Sequence, residues 1–395
     1  MPGGPQVLVM AAQRTPIGAF RGALAACSAT RLGSGAIAAT LATAPGCAGS
    51  VDEVLMGCVL PAGLGQAPAR QAALGAGVAG TAGATTLNKV CGSGMQAVIL
   101  GQALLQSGAA EFVVAGGMES MSNAPYLLPE VRQGYRLGRR ELLDHLAHDG
   151  LRDAYGGGVM GRLAERCAQQ RGFSREVQDA YAASSVARAR RAVADGAFRA
   201  EIAPLPEGGE EGAGPVAEDE CPFRCEPEKI PCLPPIFQPE GGTVTAASSA
   251  GIADGAAALL LTRGELAALA GRPPLARIVA SAHYAAAPAD FPLAPIGAIR
   301  RLYRATGWRD REVDLYEINE AFAVVVLVAL RELALDPSRV NVNGGACALG
   351  HPLGASGARI LVSLIHALRA RTLKRGIAAL CIGGGEATAM ALELC

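Results

Sequence analysis

At 395 residues, half of them hydrophobic, the chain is too long for one ordinary core and has ample apolar material for two or three domains. Lysine plus arginine balances aspartate plus glutamate at 35 each, so no net basic field exists to draw nucleic acid or an anionic membrane. One tryptophan and 4 % aromatics leave little for base stacking, and both nucleic acid and membrane are excluded as expected partners.

Residues 6–10 read as a first strand with no charged, apolar and cleavage regions before it, which gives the expectation of a cytoplasmic protein. Strand-like segments at 54–59 and 112–115 then alternate with Ala-rich helical stretches at 33–44 and 94–106, a βαβ pattern. Residues 121–250 interrupt it. This stretch carries a helical run at 175–195 and turns rich in Pro, Gly and Glu over 204–239, predicted to be loop-like and exposed. The alternation resumes with a strand at 313–318, a helix at 320–333, a strand at 340–342, a helix from Gly354 and a strand at 377–382.

The two ends of the chain look like copies of one unit. Phe112-Val-Val-Ala-Gly-Gly corresponds to Ala378-Ala-Leu-Cys-Ile-Gly-Gly-Gly, and Asp254-Gly-Ala-Ala-Ala-Leu-Leu-Leu to Glu386-Ala-Thr-Ala-Met-Ala-Leu-Glu-Leu. The expected organisation is an N-terminal half of residues 1–120 completed by 251–273, an inserted loop domain of 121–250, and a C-terminal half of 274–395. The apolar run at 321–330 is too short to span a bilayer. Eleven cysteines, an odd number, argue for free thiols.

Chemistry concentrates where reactive side chains sit among small residues. Cys91, in Asn88-Lys-Val-Cys-Gly-Ser-Gly, lies at a predicted helix start that would lower a thiol pKa, with Gly92 and Gly94 allowing close substrate approach; the bland alternative is a small cysteine packed at a helix start. His351, between Gly350 and Pro352, would face a cavity and accept a thiol proton, or else pack a loop. Cys381 ends an apolar strand before Gly383, Gly384 and Gly385, whose N–H groups could face an oxyanion; its alternative is a core cysteine. Asn319 could hydrogen-bond a carbonyl, directly or through water, or cap the following helix. A phosphate loop is rejected at Gly350 to Gly354 because no lysine follows. Cys221, Cys225 and Cys232 lack paired metal-ligand spacing, so no metal is expected.

These segments, with Gly116-Gly-Met-Glu-Ser-Met-Ser, Asn319-Glu-Ala-Phe, Asn343-Gly-Gly-Ala and Gly350-His-Pro-Leu-Gly-Ala-Ser-Gly-Ala-Arg, closely resemble the thiolase family over nearly the whole chain, in particular its acetyl-CoA acetyltransferase branch. The resemblance implies an α/β fold of duplicated βαβ halves in a five-layered α/β/α/β/α core, with an inserted coenzyme A-binding loop domain, and a homotetramer. It implies that Cys91 accepts the acyl group, His351 activates it and Cys381 moves the proton at the α-carbon. Asn319 with His351 would form one oxyanion hole, and the N–H groups of Cys91 and Gly383 the other. Acetyl-CoA, acetoacetyl-CoA and coenzyme A are implied as substrates, with no cofactor.

Arg224, Ser248, Ser249, Phe237, Met160, Phe291 and Phe322 are the implied substrate-binding residues. Val159 stands where the family often has histidine, Ala250 where a coenzyme-contacting serine is usual, and Pro222 where potassium-binding relatives have tyrosine, so no ion is assigned. Asp290-Phe-Pro-Leu-Ala-Pro resembles the segment of mitochondrial-type acetoacetyl-CoA thiolases that tolerate a 2-methyl branch; its local alternative is a rigid surface turn. A degradative 3-ketoacyl-CoA thiolase of broader chain length is the alternative activity. A related condensing synthase would carry Cys-His-His or Cys-His-Asn, and a non-catalytic acyl-CoA-binding scaffold would not need all four catalytic side chains.

Overall fold

The computed structural model describes residues 5–156, 158–206 and 214–395. The expected first residues 1–4 and residues 207–213 of the Pro-rich stretch therefore lie outside the described residues. In chain order, the N-terminal half forms β1 (Val7–Arg14), β2 (Gly18–Ala19), α1 (Ala29–Ala42), β3 (Glu53–Gly57), α2 (Pro68–Gly75), β4 (Gly83–Leu87), α3 (Ser93–Ser107) and β5 (Phe112–Ser120). Between β5 and the strand that pairs with it, the chain forms β6 (Tyr126–Leu127), β7 (Leu143–Asp144), α4 (Met160–Arg171) and α5 (Arg175–Ala194). Then follow β8 (Ala253–Arg263), β9 (Ala276–Ala285), α6 (Ala294–Thr306), β10 (Leu315–Ile318), α7 (Ala323–Leu333), α8 (Ala346–Leu349), α9 (Leu353–Ala370), β11 (Arg375–Ile382) and β12 (Glu386–Leu394).

The internal correspondence read from the sequence appears as the same pairing of the central strands in each half. β5 pairs antiparallel with β8 and parallel with β3; β11 pairs antiparallel with β12 and parallel with β10. The outer members match too, with β1 antiparallel to β8 and β9 antiparallel to β12. An antiparallel contact of β1 with β9 joins the halves. The expected strand at 340–342 is only a bridge, Tyr316 to Val340, where the first half has full β4.

The strands of both halves form one continuous ten-stranded sheet, and period-two alternation divides the part in each half between two faces. Ala257, Leu259 and Leu261 of β8, with Ala378, Leu380, Met390 and Leu392 of the second half, face a common core filled by α3 and α9. The opposite faces, such as Ala256, Ala258 and Leu260, meet α1 and α2, and Ile377, Ala379 and Ala389 meet α6 and α7. The result is the layering α/β/α/β/α. In β1 an irregularity at Met10 shifts the register, so Val9 and then Ala12 point to the central core while Met10 and Ala11 point outward.

Nearly every residue of α9 is buried. A Leu→Ala change at Leu361 or Leu364, both fully buried, would cost about 2–5 kcal/mol for the lost apolar burial and the cavity left behind. The segment inserted after β5 is tethered through Arg14, whose guanidinium pairs with Glu201 at 2.6 Å and Asp219 at 2.7 Å, all fully buried. The expected exposed loop of 204–239 is thus partly interior: Asp219 and Ile230 are buried, and short 3₁₀ turns form at Cys221–Phe223 and Pro227–Cys232.

Candidate active site

Cys91 sits on a strained turn. The preceding Val90 has φ of 48°, a left-handed conformation that a β-branched side chain adopts at a cost of about 1–3 kcal/mol. The turn is held locally: the Val90 N–H donates to Asn88 Oδ1 at 2.8 Å, the Lys89 N–H to Ser93 Oγ at 2.8 Å, and the Ser93 hydroxyl to the Val90 carbonyl at 2.6 Å. Lys89 also forms an ion pair with Glu386, which joins the Cys91 turn to the strand after the glycine run of the other half.

Gly92 and Gly94 serve a purpose other than the substrate approach expected of them. A Cβ on Gly92 would lie 2.4 Å from Ile382 Cδ1, and one on Gly94 2.8 Å from the Ala358 nitrogen. The space they leave is filled by the C-terminal half, which is how Cys381 comes up against Cys91. Gly354 meets the same constraint against the Met118 carbonyl and Glu119.

His351 follows Gly350, whose φ of 95° suits glycine, and its N–H donates to the Gly251 carbonyl at 2.8 Å. Its ring is buried. Nδ1 lies 2.5 Å from Ser356 Oγ, whereas Nε2 has no hydrogen-bond partner. Burial, followed by the nearby Arg359 cation, lowers the imidazole pKa to about 3, so the ring is neutral.

The Cys91 thiol is pushed up to about 11 by burial, against the opposing pull of the Gly383 and Cys91 N–H groups on its sulfur. This corrects the expectation of a depressed thiol: one backbone donor at the helix start and one from the turn after β11 do not offset the loss of water. Those two donors are the pair anticipated for an oxyanion hole, and Gly384 and Gly385, with φ of 93° and 87°, carry the tight turn into β12. Cys381, in β11, is also buried, and burial followed by the proximity of Cys91 raises its thiol.

Cys91, His351, Cys381, Gly383, Met160, Phe291 and Phe322 line one cavity of about 80 Å³, together with Val90, Leu151, Ala250 and Leu353. Its wall is aromatic. Phe291 meets Phe322 edge-on at 6.2 Å, and Phe237, outside the lining, braces Phe322 at 5.9 Å. The cavity shares Val90, Gly150, Met160 and Gly383 with an outer chamber of about 220 Å³ bordered by His148, Arg152 and Tyr155.

The remaining predicted residues lie elsewhere. Asn319 is buried and outside the cavity lining; its Oδ1 accepts from Arg359 at 3.4 Å and its Nδ2 has no partner. Ser248 is fully buried, its Oγ accepting the Thr245 N–H at 2.8 Å, so its hydroxyl closes a turn rather than facing a ligand. Arg224 and Ser249 line a separate cavity of about 370 Å³ with Lys229 and Cys347, and Arg224 pairs with Glu220. Cys221 and Cys225 line that cavity as well, and among the described residues no group of three or more His, Cys, Asp or Glu side chains could hold a metal ion.

Two carboxylates missed in the sequence organise the site. Glu119 accepts from the N–H groups of Val59, Leu60 and Gly354 at 2.8–3.1 Å, fixing the start of α9. Burial raises its pKa to about 7. Glu320 accepts from the Tyr181 and Ser185 hydroxyls at 2.7 Å, Asn341 Nδ2 at 2.9 Å and the Cys347 N–H at 3.0 Å, locking α5 to the loop that carries His351. Each is a lone acid inside an otherwise small or apolar motif, and that was the available signal.

Comparison with known proteins agrees in every region. The family model of the thiolase N-terminal domain matches residues 7–265, and that of the thiolase C-terminal domain residues 272–394. The chain is similar to an acetyl-CoA acetyltransferase of Schizosaccharomyces pombe, 46 % identical over 390 residues that cover 98 % of each protein. An Arabidopsis thaliana protein, acetyl-CoA acetyltransferase 2, is 47 % identical over 98 % of this chain and 97 % of its own. The crystal structure of a thiolase from Ascaris suum in complex with coenzyme A superposes with a TM-score of 0.93 at 42 % identity, covering 99 % of this chain and 100 % of that one.

Proposed function

Since the chain belongs to the thiolase family, we propose that it is an acetyl-CoA acetyltransferase, cleaving acetoacetyl-CoA with coenzyme A and condensing two acetyl-CoA in reverse. The observation that carries this reading is the single cavity in which Cys91, His351, Cys381 and the Gly383 N–H meet from both halves. The similarity to acetyl-CoA acetyltransferases over 98 % of the chain supports the acetyl group as the one transferred.

In the cleavage direction His351 Nε2 takes the Cys91 thiol proton and the sulfur attacks the 3-keto carbon of acetoacetyl-CoA. The resulting oxyanion is met by backbone N–H groups, each such donor being worth about 3–4 kcal/mol. The C2–C3 bond breaks, and Cys381 hands its proton to C2, releasing acetyl-CoA and leaving acetyl-Cys91. Burial holds Cys381 as the neutral thiol, which is the form this step consumes. Incoming coenzyme A gives its thiol proton to Cys381, its sulfur takes the acetyl group, and His351 returns the first proton to Cys91. All groups end as they began, and condensation is the same sequence reversed. The unpartnered Asn319 Nδ2 serves as a donor through water.

Short substrates are favoured because Phe291, which lines the cavity and is braced through Phe322 and Phe237, closes the acyl end, and the resemblance of Asp290-Phe-Pro-Leu-Ala-Pro to thiolases that tolerate a 2-methyl branch supports acceptance of that branch. The chain assembles as a homotetramer, a reading supported by exposed Tyr126, Leu128, Val131, Leu137 and Leu142 on one excursion and by the unpaired edge of β4. Buried free thiols such as Cys58 and Cys167 fit a reducing cytoplasm, and no described helix is long and apolar enough to cross a membrane. The test is cleavage of 3-ketoacyl-CoA esters of increasing length, with 2-methylacetoacetyl-CoA included. Specificity constants highest for the four-carbon and 2-methyl esters support the reading, whereas turnover confined to long chains replaces it with a degradative thiolase.

A further inference from the structure

The two nitrogens of the His351 ring have unlike surroundings. Nδ1 is 2.5 Å from the hydroxyl of Ser356, a residue with no exposed surface, while Nε2 is buried with no partner in the cavity that Cys91 also lines. Which nitrogen carries the proton follows from where the serine proton goes. Ser356 lies in the first turn of α9, and its hydroxyl reaches the Pro352 carbonyl four residues back at 2.9 Å, the habitual back-bond of a helical serine. With its hydrogen committed there, Ser356 Oγ offers Nδ1 only a lone pair.

We propose that Ser356 is a positioning residue for acyl transfer: by accepting the Nδ1 proton it holds His351 in the tautomer whose Nε2 lone pair takes the Cys91 proton. The hydroxyl keeps this arrangement when Nε2 is protonated, because the imidazolium still donates from Nδ1. Charge therefore appears on the ring without any movement of ring or partner. Ser356→Ala removes the acceptor, and the Nδ1 proton is then buried without a partner. Neither nitrogen then has an acceptor, so the preference for a protonated Nδ1 is lost, and in the share of rings that carry the hydrogen on Nε2 it blocks their use as a base.

This inference rests on the reading of His351 as the base for Cys91, and its test separates the two. In protein labelled with ¹⁵N-histidine, five ring systems are present, and the His351→Asn variant identifies the resonances of His351. The unmodified enzyme should show a pyrrole-type Nδ1 and a pyridine-type Nε2 at neutral pH. Ser356→Ala should draw the two nitrogen shifts toward each other as the tautomers mix, and slow single-turnover acetylation of Cys91 by acetyl-CoA by about 10- to 100-fold, the range found when the outer hydrogen-bond partner of a metal-bound histidine is removed. Half-saturation should stay within about twofold of the original if only the base is affected. Ser356→Thr, which keeps the hydroxyl, should recover most of the rate.

A pyrrole-type Nε2 in the unmodified enzyme overturns the proposal without any variant having to fold. An alanine variant that acetylates at the original rate, or loses only affinity, overturns it too. Absence of any acetyl-Cys91 in the unmodified enzyme would instead remove the acyl-transfer reading, and the nitrogen spectrum would still report the Ser356 contact.

Discussion

Cys91 and His351 occupy matching places in the two halves, each two residues before the buried helix of its half, α3 beginning at Ser93 and α9 at Leu353. The duplicated scaffold delivers a thiol and an imidazole to one cavity from equivalent helix starts. Their supports differ. The Cys91 turn stores strain at Val90 and is stapled by Asn88 and Ser93, whereas His351 lies in an extended stretch fixed by Gly251 and Ser356. Their protonation is the same in kind, because burial pushes the thiol to about 11 and the imidazole to about 3. Burial, not the helix start, sets the resting state, so the site waits as a neutral pair, and in the proposed mechanism the thiolate forms only as the substrate carbonyl is attacked.

The largest break in this comparison is Cys91→Ala. Loss of the nucleophile should lower thiolysis by at least about 10⁴-fold with an unchanged unfolding transition, measured from acetoacetyl-CoA cleavage and thermal denaturation. A loss of under tenfold would place the nucleophile elsewhere. Cys381→Ala should fall next, by about 10²- to 10⁴-fold in condensation and in α-proton exchange from deuterated water, while Cys91 still becomes acetylated. Undiminished exchange would return Cys381 to the role of a core cysteine.

The shared neutral state has its own test in pH. A thiol whose pKa is raised stays protonated past the ordinary cysteine value, so alkylation of Cys91 by iodoacetamide should climb about tenfold per pH unit in alkali and level off near 11. A fast, flat rate around neutrality would reveal a resting ion pair with His351. The smallest expected effect is that of Lys89→Met, which removes a half-exposed ion pair between the two halves but leaves the local staples of the turn. Stability should change by no more than about 1 kcal/mol in urea titrations, and activity by less than about twofold. A larger loss would mean that the turn depends on the other half for its shape.

The parts of this site legible in the sequence are those with a local chemical signature. Cys91, His351 and Cys381 each stand out among glycines, and the paired segments 112–117 and 378–385 gave the duplication that β5 and β11 display. What stayed hidden depends on distant contacts. Valine is an ordinary strand residue, so nothing local announces the left-handed Val90. Gly92 and Gly94 look like room for a ligand, and only the approach of Ile382 and α9 shows what fills it. Ser248 and Ser249 are adjacent hydroxyls, yet one closes a turn and the other faces a separate cavity. Ser356 reads as one more small residue in a small-residue motif until its oxygen is found beside the His351 ring.

The most direct measurement is peptide mass spectrometry of the enzyme quenched after mixing with acetyl-CoA alone. The proposed mechanism predicts one acetyl group per chain, on the peptide containing Cys91, that is removed on adding coenzyme A and absent from Cys91→Ala. An acetyl group on any other residue, with Cys91 unmodified and thiolysis intact, would contradict it.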